Sequence, residues 1–381
     1  MVTVEPPAKA GRVLVPATDD GPGDEAWDAF VAATPGGDVN QTSGWGRVKQ
    51  ATGNERRRVV LLIDGELTGG AQVLTRRLGV LGSVAYIPYG PLLRPGATDA
   101  QARALVDGLV EHCRRWRVRA LFVQPPEGGE RVAGALRAVG LRPTSVDVAP
   151  SASLRLDLDL GSDELLEQMA RTPRRQIKRA LRQPLTVRRG DRDDLRSFQE
   201  LHACSAARHD FRPSPLAHLE TMWDELHAGG HLHLYLAATG GVDVAGLVVT
   251  RLGDVVTARL QGFDPARGDA GLRPNERVLW AALEHAREVG ARWYDLGGLP
   301  RTEVVALAAG PERRAEALSS AHSSHKVRLG GVPVVHPEPL ELIQGRVLGA
   351  AYRTVRSSTA WAGVRRQLEA RFRAGSDRRS D

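Results

Sequence analysis

"VVLLIDGELTGGAQVLTRRLG", residues 59–79, and "LYLAATGGVDVAGLVVTRLGD", residues 234–254, are the two stretches that decide the fold. Each is an apolar strand, a glycine-bearing turn and a second strand that ends in Thr-Arg and Leu-Gly. The turns "IDGEL" and "ATGGVD" carry glycine where a tight hairpin needs positive φ. Helical segments precede each hairpin, over 24–34 and 41–51 in one case and over 194–209 and 216–228 in the other. A third strand follows, "SVAYIPYGPLL" or "VVTARLQGFDP", then an amphipathic helix, 99–115 or 275–289. A buried strand closes each unit, "RALFVQP" or "ARWYDLGG". Self-similarity at so long a period indicates a duplicated domain rather than a solenoid. Mixed strands with interspersed helices place both copies in the α/β class, with α+β-type mixed sheets.

The join between the copies falls near 145–162, where "SASLRLDLDL" alternates like a strand and "GSDELLEQMA" starts a helix with a Ser cap. The expected domains are 12–150 and 151–332. A basic helical tail within 333–373 returns to the first through the strand-like link "GGVPVVHPEP", and 374–381 is expected to be disordered.

The 381 residues suit two compact domains or one large one, and 42% hydrophobic with 25% charged residues permits a sizeable core. The two cysteines, Cys113 and Cys204, have no metal-ligand spacing and sit in no redox pair; a disulfide framework is excluded, which fits a reducing cytoplasm. No apolar run reaches the length of a membrane span, and "MVTVEPPAKAGR" lacks the apolar block of a signal peptide, so a cytosolic protein is expected. The net charge of +7, almost all from arginine, points to a polyanionic partner: nucleic acid, a phosphorylated substrate or an anionic membrane.

Several chemistries lack their residues. There is no Gly-x-Ser-x-Gly elbow and no Walker loop. His231 and His233 in "HLHLYL" share a strand face, but no carboxylate or cysteine supports a metal there. The loop "ARGDAGLRPNERVLW", 266–280, has glycines at 268 and 271 without the spacing of a CoA pyrophosphate cradle. No cofactor is expected, and an activated donor must arrive ready-made, as a thioester or as an aminoacyl ester. Two further stretches, "ARWYDLGGLP" (291–300) and "SSHKVRLGG" (323–331), read as strands stopped by the same Leu-Gly-Gly. One holds an acid, Asp295, and the other a lone cation, Lys326.

The order of elements in each half resembles the acetyl-CoA-dependent N-acetyltransferases, and two such halves in tandem resemble the Fem family of peptidoglycan aminoacyltransferases. "QTSGWGRVKQATG" (41–53), "YIPYGPLL" (86–93), "TPRRQIKRALRQPLTVRRGD" (172–191), "SAARHDFRPSP" (205–215), "WYDLGG" (293–298) and "HKVRLGG" (325–331) carry the likeness, in order, over most of 38–331. The coiled-coil arm that some Fem proteins insert is absent, since no heptad run exceeds three turns.

The resemblance implies an amide-forming transfer of an aminoacyl group from aminoacyl-tRNA to an amine of a peptidoglycan precursor. Lys326 matches the family's lysine beside the acyl-transfer site, where a fixed cation favours the tetrahedral oxyanion. Asp295 either shares that site or braces the glycine turn. Trp45 and Lys49, four apart on one helix face, would meet the acceptor, with Lys49 on a phosphate; Arg208 matches a second phosphate contact and Arg212 flanks it. Arg259 and Gln261 stand where relatives carry Tyr-x-Tyr and project to one strand face. Arg171, Arg174, Arg175, Lys178, Arg179 and Arg182 form a basic helix that is either a solvated face or a contact for tRNA phosphates. The tail arginines Arg346, Arg353, Arg356, Arg365 and Arg366 would touch tRNA or an anionic membrane carrying a lipid-linked acceptor. Three alternatives stay open: a secondary-metabolite amine as acceptor, an acyl-CoA donor, and a non-catalytic RNA-binding module.

Overall fold

The computed structural model describes residues 22–77, 82–310, 321–358 and 361–373. The N-terminal stretch and the tail expected to be disordered lie outside the described residues. Each hairpin seeds a sheet. In the first half, helices α1 (Asp24–Ala33) and α2 (Ser43–Ala51) lead into strands β1 (Glu55–Ile63) and β2 (Glu66–Arg77). Strands β3 (Ser83–Pro88) and β4 (Leu92–Leu93), helix α3 (Asp99–Arg115), strand β5 (Val118–Gln124), helix α4 (Glu130–Ala138) and strand β6 (Arg142–Pro143) complete it. The second half opens with β7 (Ala152–Asp157), α5 (Ser162–Gln168), α6 (Arg171–Ala180) and β8 (Thr186–Arg189). It then repeats the first: α7 (Leu195–His209), α8 (Leu216–Leu226), β9 (Leu232–Thr239), β10 (Val242–Leu252), β11 (Val255–Phe263), α9 (Pro274–Glu288) and β12 (Trp293–Asp295). Both hairpins turn where the sequence placed them, through Asp64–Gly65 and Gly240–Gly241, all four residues at positive φ.

The remaining elements are α10 (Arg301–Ala308), α11 (Ala321–Arg328), β13 (Val332–Val335), β14 (Leu340–Ile343), α12 (Arg346–Arg356) and α13 (Trp361–Arg373). The strand orders are β1-β2-β3-β5-β14-β6, with β4 on β2, and β13-β7-β12-β11-β10-β9-β8. Strand β13 pairs with β7 in the second sheet, so the chain crosses back after Val335 and not at 333. Pro337 and Pro339 end the pairing, since proline has no N–H to give a ladder. Strand β14 then inserts between β5 and β6. A second small correction concerns α5: Gly161, not Ser162, is its N-cap, and Glu164 Oε2 accepts the Gly161 N–H at 2.9 Å.

Each sheet has its own apolar core, against α3 and α4 in the first half and against α9 and α10 in the second. A third core belongs to both halves. Trp27, Phe30, Trp45 and Val48 of α1 and α2 pack with Phe198, Leu219, Trp223 and Leu226 of α7 and α8. At the crossing of α2 and α8 the backbones touch: a Cβ on Gly44 would lie 2.7 Å from the Glu225 carbonyl oxygen and 3.0 Å from Leu226 Cδ2. Arg47 clamps the rim, pairing with Glu225 at 2.5 Å and Asp24 at 2.6 Å. Gly44→Val must push α2 off α8, and overpacking of this kind costs about 1–3 kcal/mol. Denaturant unfolding is expected to show that loss on probes in both halves at once, because the damaged core is common to them.

Candidate active site

Strands β11 and β12 run parallel for only three residue pairs, Val255–Trp293 to Thr257–Asp295. Beyond them β11 stays with β10 as far as Phe263, whereas the chain after Asp295 bonds to β7, Leu296 N–H to the Leu154 carbonyl and Leu299 N–H to the Ala152 carbonyl, both at 2.9 Å. The sheet therefore splits, and Gly297 and Gly298 sit at the split. A Cβ on Gly297 would lie 3.0 Å from the Ala258 carbonyl oxygen and 3.4 Å from Lys326 Nζ, so only glycine leaves the gap open. Lys326 Nζ donates to the Gly298 carbonyl at 3.0 Å.

Lys326, which precedes the second Leu-Gly-Gly, thus meets the first, but the two tripeptides end different elements. The second closes helix α11 rather than a strand, with Leu329 N–H on the His325 carbonyl and Gly330 N–H on the Val327 carbonyl. A reversal at a positive-φ glycine ends a strand or a helix equally well, and Gly297 and Gly330 both take it. The eight-residue, mostly polar α11 offers no apolar period by which to distinguish it from a strand.

Asp295 is 6% exposed and lines neither of the two cavities beside the split. Its Oδ2 accepts from Ser153 Oγ at 2.7 Å and Arg155 Nε at 3.1 Å, and its Oδ1 accepts the Gly297 N–H at 2.8 Å. With both oxygens committed, it braces the split. Arg155 reaches on to Glu127 Oε2 of the first half at 2.5 Å.

Two cavities open on either side of the Gly298 strand end. One, of about 840 Å³, is lined by His202, Gln261, Phe263, Asn275, Glu276, Gly297, His325 and Lys326. The other, of about 690 Å³, lies between the halves and is lined by Trp45, Lys49 and Tyr86 from the first, His218, Arg259 and Arg301 from the second, and Phe372 of α13. Arg259, Leu260 and Gly298 line both, so the two form one cleft. Val248 pairs with Leu260 and Val249 with Ala258, which leaves Arg259 as the extra residue of a bulge. The bulge re-aims Arg259 onto Trp45, whose ring has Arg259 Cζ at 5.2 Å and Lys49 Nζ at 5.1 Å.

The inter-half cavity is lined by polar atoms that find no partner. Trp45 Nε1, Tyr86 OH, His218 Nδ1 and Arg259 Nη2 are buried with no hydrogen-bond partner among the described residues. Native structures leave few such groups, and four around one cavity mark a place for a polar ligand. Lys49 is 4% exposed, and its Nζ donates to the Phe372 carbonyl at 3.0 Å. Burial, then the Arg259 and Arg76 charges, push the Lys49 ammonium down to about 8. Lys326 is pushed down to about 8 by burial, against the pull of Asp295. Two of the chain's four lysines therefore stand in this cleft in a form that titrates near neutrality.

A profile described as an acetyltransferase (GNAT) domain matches residues 168–309. Lipid II:glycine glycyltransferase of Staphylococcus aureus (strain MRSA252) is 29% identical over 220 residues, 55% of this chain and 52% of the relative. The crystal structure of FemX aligns with a TM-score of 0.75 at 20% identity, over 88% of this chain and 99% of FemX. The chain is similar to Fem-family proteins in sequence and shares the FemX fold. It spans about half the length of the curated relatives it matches. L-PGS from Bacillus licheniformis shares the fold at a TM-score of 0.54 and 14% identity, over 88% of this chain and 96% of that one.

Against the family pattern, the structure gathers Trp45, Lys49, Arg259, Gln261 and Lys326 along one cleft. It leaves Arg208 and Arg212 outside both cavities: both are exposed, with the Arg208 guanidinium 5.6 Å over the Phe263 ring. Phe263, over which Arg208 lies, lines the cavity of Lys326, and α7 ends two residues after Arg208 at a left-handed Asp210. The basic helix α6 tolerates Pro173 in its first turn, and Arg174, Arg175, Lys178, Arg179 and Arg182 line a surface hollow of about 510 Å³. Among the described residues no group of His, Cys, Asp or Glu is arranged to hold a metal ion, and His231 Nδ1 instead donates to the Arg251 carbonyl at 3.0 Å. No described helix is long and apolar enough to cross a membrane. Sequence reasoning missed His202, His218, Tyr86, Arg301 and Phe372. One signal was available for His202, which falls on the apolar face of α7 with Leu195, Phe198 and Leu201.

The Lys49 shift has a measurable sign. Its folded value of about 8 lies below the ordinary 10.5, so between them the unfolded chain holds more protons. Stability from this group is full above about 10.5 and is lost as pH falls through 8. Thermal melts of the wild type from pH 7.5 to 10 are expected to rise relative to Lys49→Met, which lacks the slope.

Proposed function

We propose that the chain transfers an aminoacyl group from aminoacyl-tRNA to an amine of a peptidoglycan precursor, forming an amide. The observation that carries this reading is the single cleft that runs from the unsatisfied, cationic cavity at Lys49 and Arg259 to Lys326 at the split sheet. A diphosphate-bearing acceptor fits the first cavity, because it supplies acceptor oxygens to Trp45 Nε1, Arg259 and Lys49. The ester carbonyl fits beside Lys326, whose ammonium favours the oxyanion formed on attack. The likeness to Lipid II:glycine glycyltransferase supports the acceptor class.

A tRNA ester suits the donor side better than a thioester of CoA. In the loop where a CoA pyrophosphate would need free N–H groups, Gln183 Oε1 already accepts the Arg273 N–H at 2.8 Å, and Gln183 Nε2 donates to the Gly271 carbonyl at 2.9 Å. Glu276 adds a carboxylate to the first turn of α9, opposing an anion there. The basic hollow on α6, which packs against α9, offers the phosphate contacts a tRNA needs.

The test is transfer of labelled amino acid from charged tRNA to a UDP-sugar peptide. The reading expects the transfer to vanish after RNase treatment; transfer that survives RNase sinks it. Lys326→Met is expected to lower the rate constant about 100- to 1000-fold, a loss of roughly 2.7–4 kcal/mol of transition-state stabilisation, with the melting temperature little changed. Lys49→Met is expected to raise KM for the acceptor and to change turnover at saturation less. Alanine at Arg174, Arg175, Lys178 and Arg179 together is expected to weaken tRNA binding and flatten its salt dependence, as read by filter binding at several salt concentrations.

A further inference from the structure

Resting on the transferase reading above, we propose that His202 is the general base that takes the proton from the attacking amine. His202 is 3% exposed yet lines the same cavity as Lys326, Gly297 and Gly298. Its ring is held on three sides. Phe198 stacks on it at 5.8 Å and Phe211 tilts against it at 5.4 Å. Nδ1 lies 2.9 Å from the Gln261 carbonyl oxygen. A carbonyl only accepts, so Nδ1 carries the hydrogen and Nε2 presents a lone pair. Among the described residues Nε2 makes no hydrogen bond, and it is not among the buried atoms left without a partner. Burial lowers the imidazole's affinity for a proton, which keeps that lone pair free at neutral pH. Asp295, at the split, cannot serve: its oxygens are taken by Ser153, Arg155 and Gly297.

The step balances. The acceptor arrives as an ammonium, and Nε2 takes one proton. The freed amine attacks the ester carbonyl carbon; a C–N bond forms and the ester C–O bond breaks. The nitrogen's second proton leaves with the departing hydroxyl oxygen, and His202 returns its own proton to solvent.

The discriminating variant is His202→Asn, which keeps a donor for the Gln261 carbonyl and removes Nε2. With charged tRNA and a UDP-sugar peptide, kcat is expected to fall about 10²- to 10⁴-fold while KM for the acceptor changes less than about threefold. Free imidazole is expected to restore part of the rate to His202→Ala, which a purely structural role would not allow. A His202→Asn enzyme that turns over within about threefold of wild type overturns the base assignment and leaves the transferase reading standing. Wild-type protein that transfers from neither charged tRNA nor acetyl-CoA overturns the transferase reading, and the base with it. Should both variants unfold, ¹⁵N shifts of the wild-type imidazole decide: the Nδ1–H tautomer is expected, and the Nε2–H tautomer overturns the proposal.

Discussion

The contact on which the rest of the structure depends is the crossing of α2 and α8, where Gly44 lets two helix backbones meet inside a core shared by both halves. Duplicated domains joined by a polar surface would be free to move against each other. Here tryptophans, phenylalanine and leucines from both halves bury one another, and that burial holds the two sheets in one orientation. Only in that orientation does Trp45 of the first half face Arg259 of the second. Neither half owns the cleft; each contributes one wall.

The cleft concentrates positive charge that its acidic neighbours offset only in part. Lys49 and Arg259 flank one indole ring, and Arg259 reaches Asp38 only at 3.6 Å. Each buried polar atom left without a partner costs about 1–3 kcal/mol, so the polar groups on this cleft are costly to the fold on their own account. The choice of lysine matters in a chain so rich in arginine. Arginine stays charged at any accessible pH, whereas a desolvated lysine titrates. The two cleft lysines can therefore bind an anion as ammonium and still be tuned by their surroundings. Asp295 works on the same scale in a different way: it spends its charge on Arg155 and the Gly297 N–H, and so holds the sheet open.

Most of the architecture was legible because it rests on short-range patterns. The repeated hairpins, the period of α3 and α9, and the glycine turns are local, and the elements formed within a residue or two of where their patterns lie. Motifs also singled out Lys49 and Lys326, which the structure places in one cleft. Arg208 lies outside both cavities, since a motif gives spacing along a helix but not the direction in which its last turn points. His202 was overlooked because a histidine on an apolar face has the same local pattern whether it is inert core or opens onto a cavity.

From its residues alone the chain determined two copies of one α/β unit, their order, and the glycine-ended segments around Asp295 and Lys326, since all of these follow from backbone propensity and apolar periodicity. The tertiary structure alone decided that "SSHKVRLGG" is helical, that Asp295 is a brace, that a bulge turns Arg259 onto Trp45, and that Phe372 of the tail caps Lys49. Each of these depends on which atoms lie across a gap from residues tens or hundreds of positions away. A buried polar group is defined by the partners it finds there, and no local window of sequence contains them.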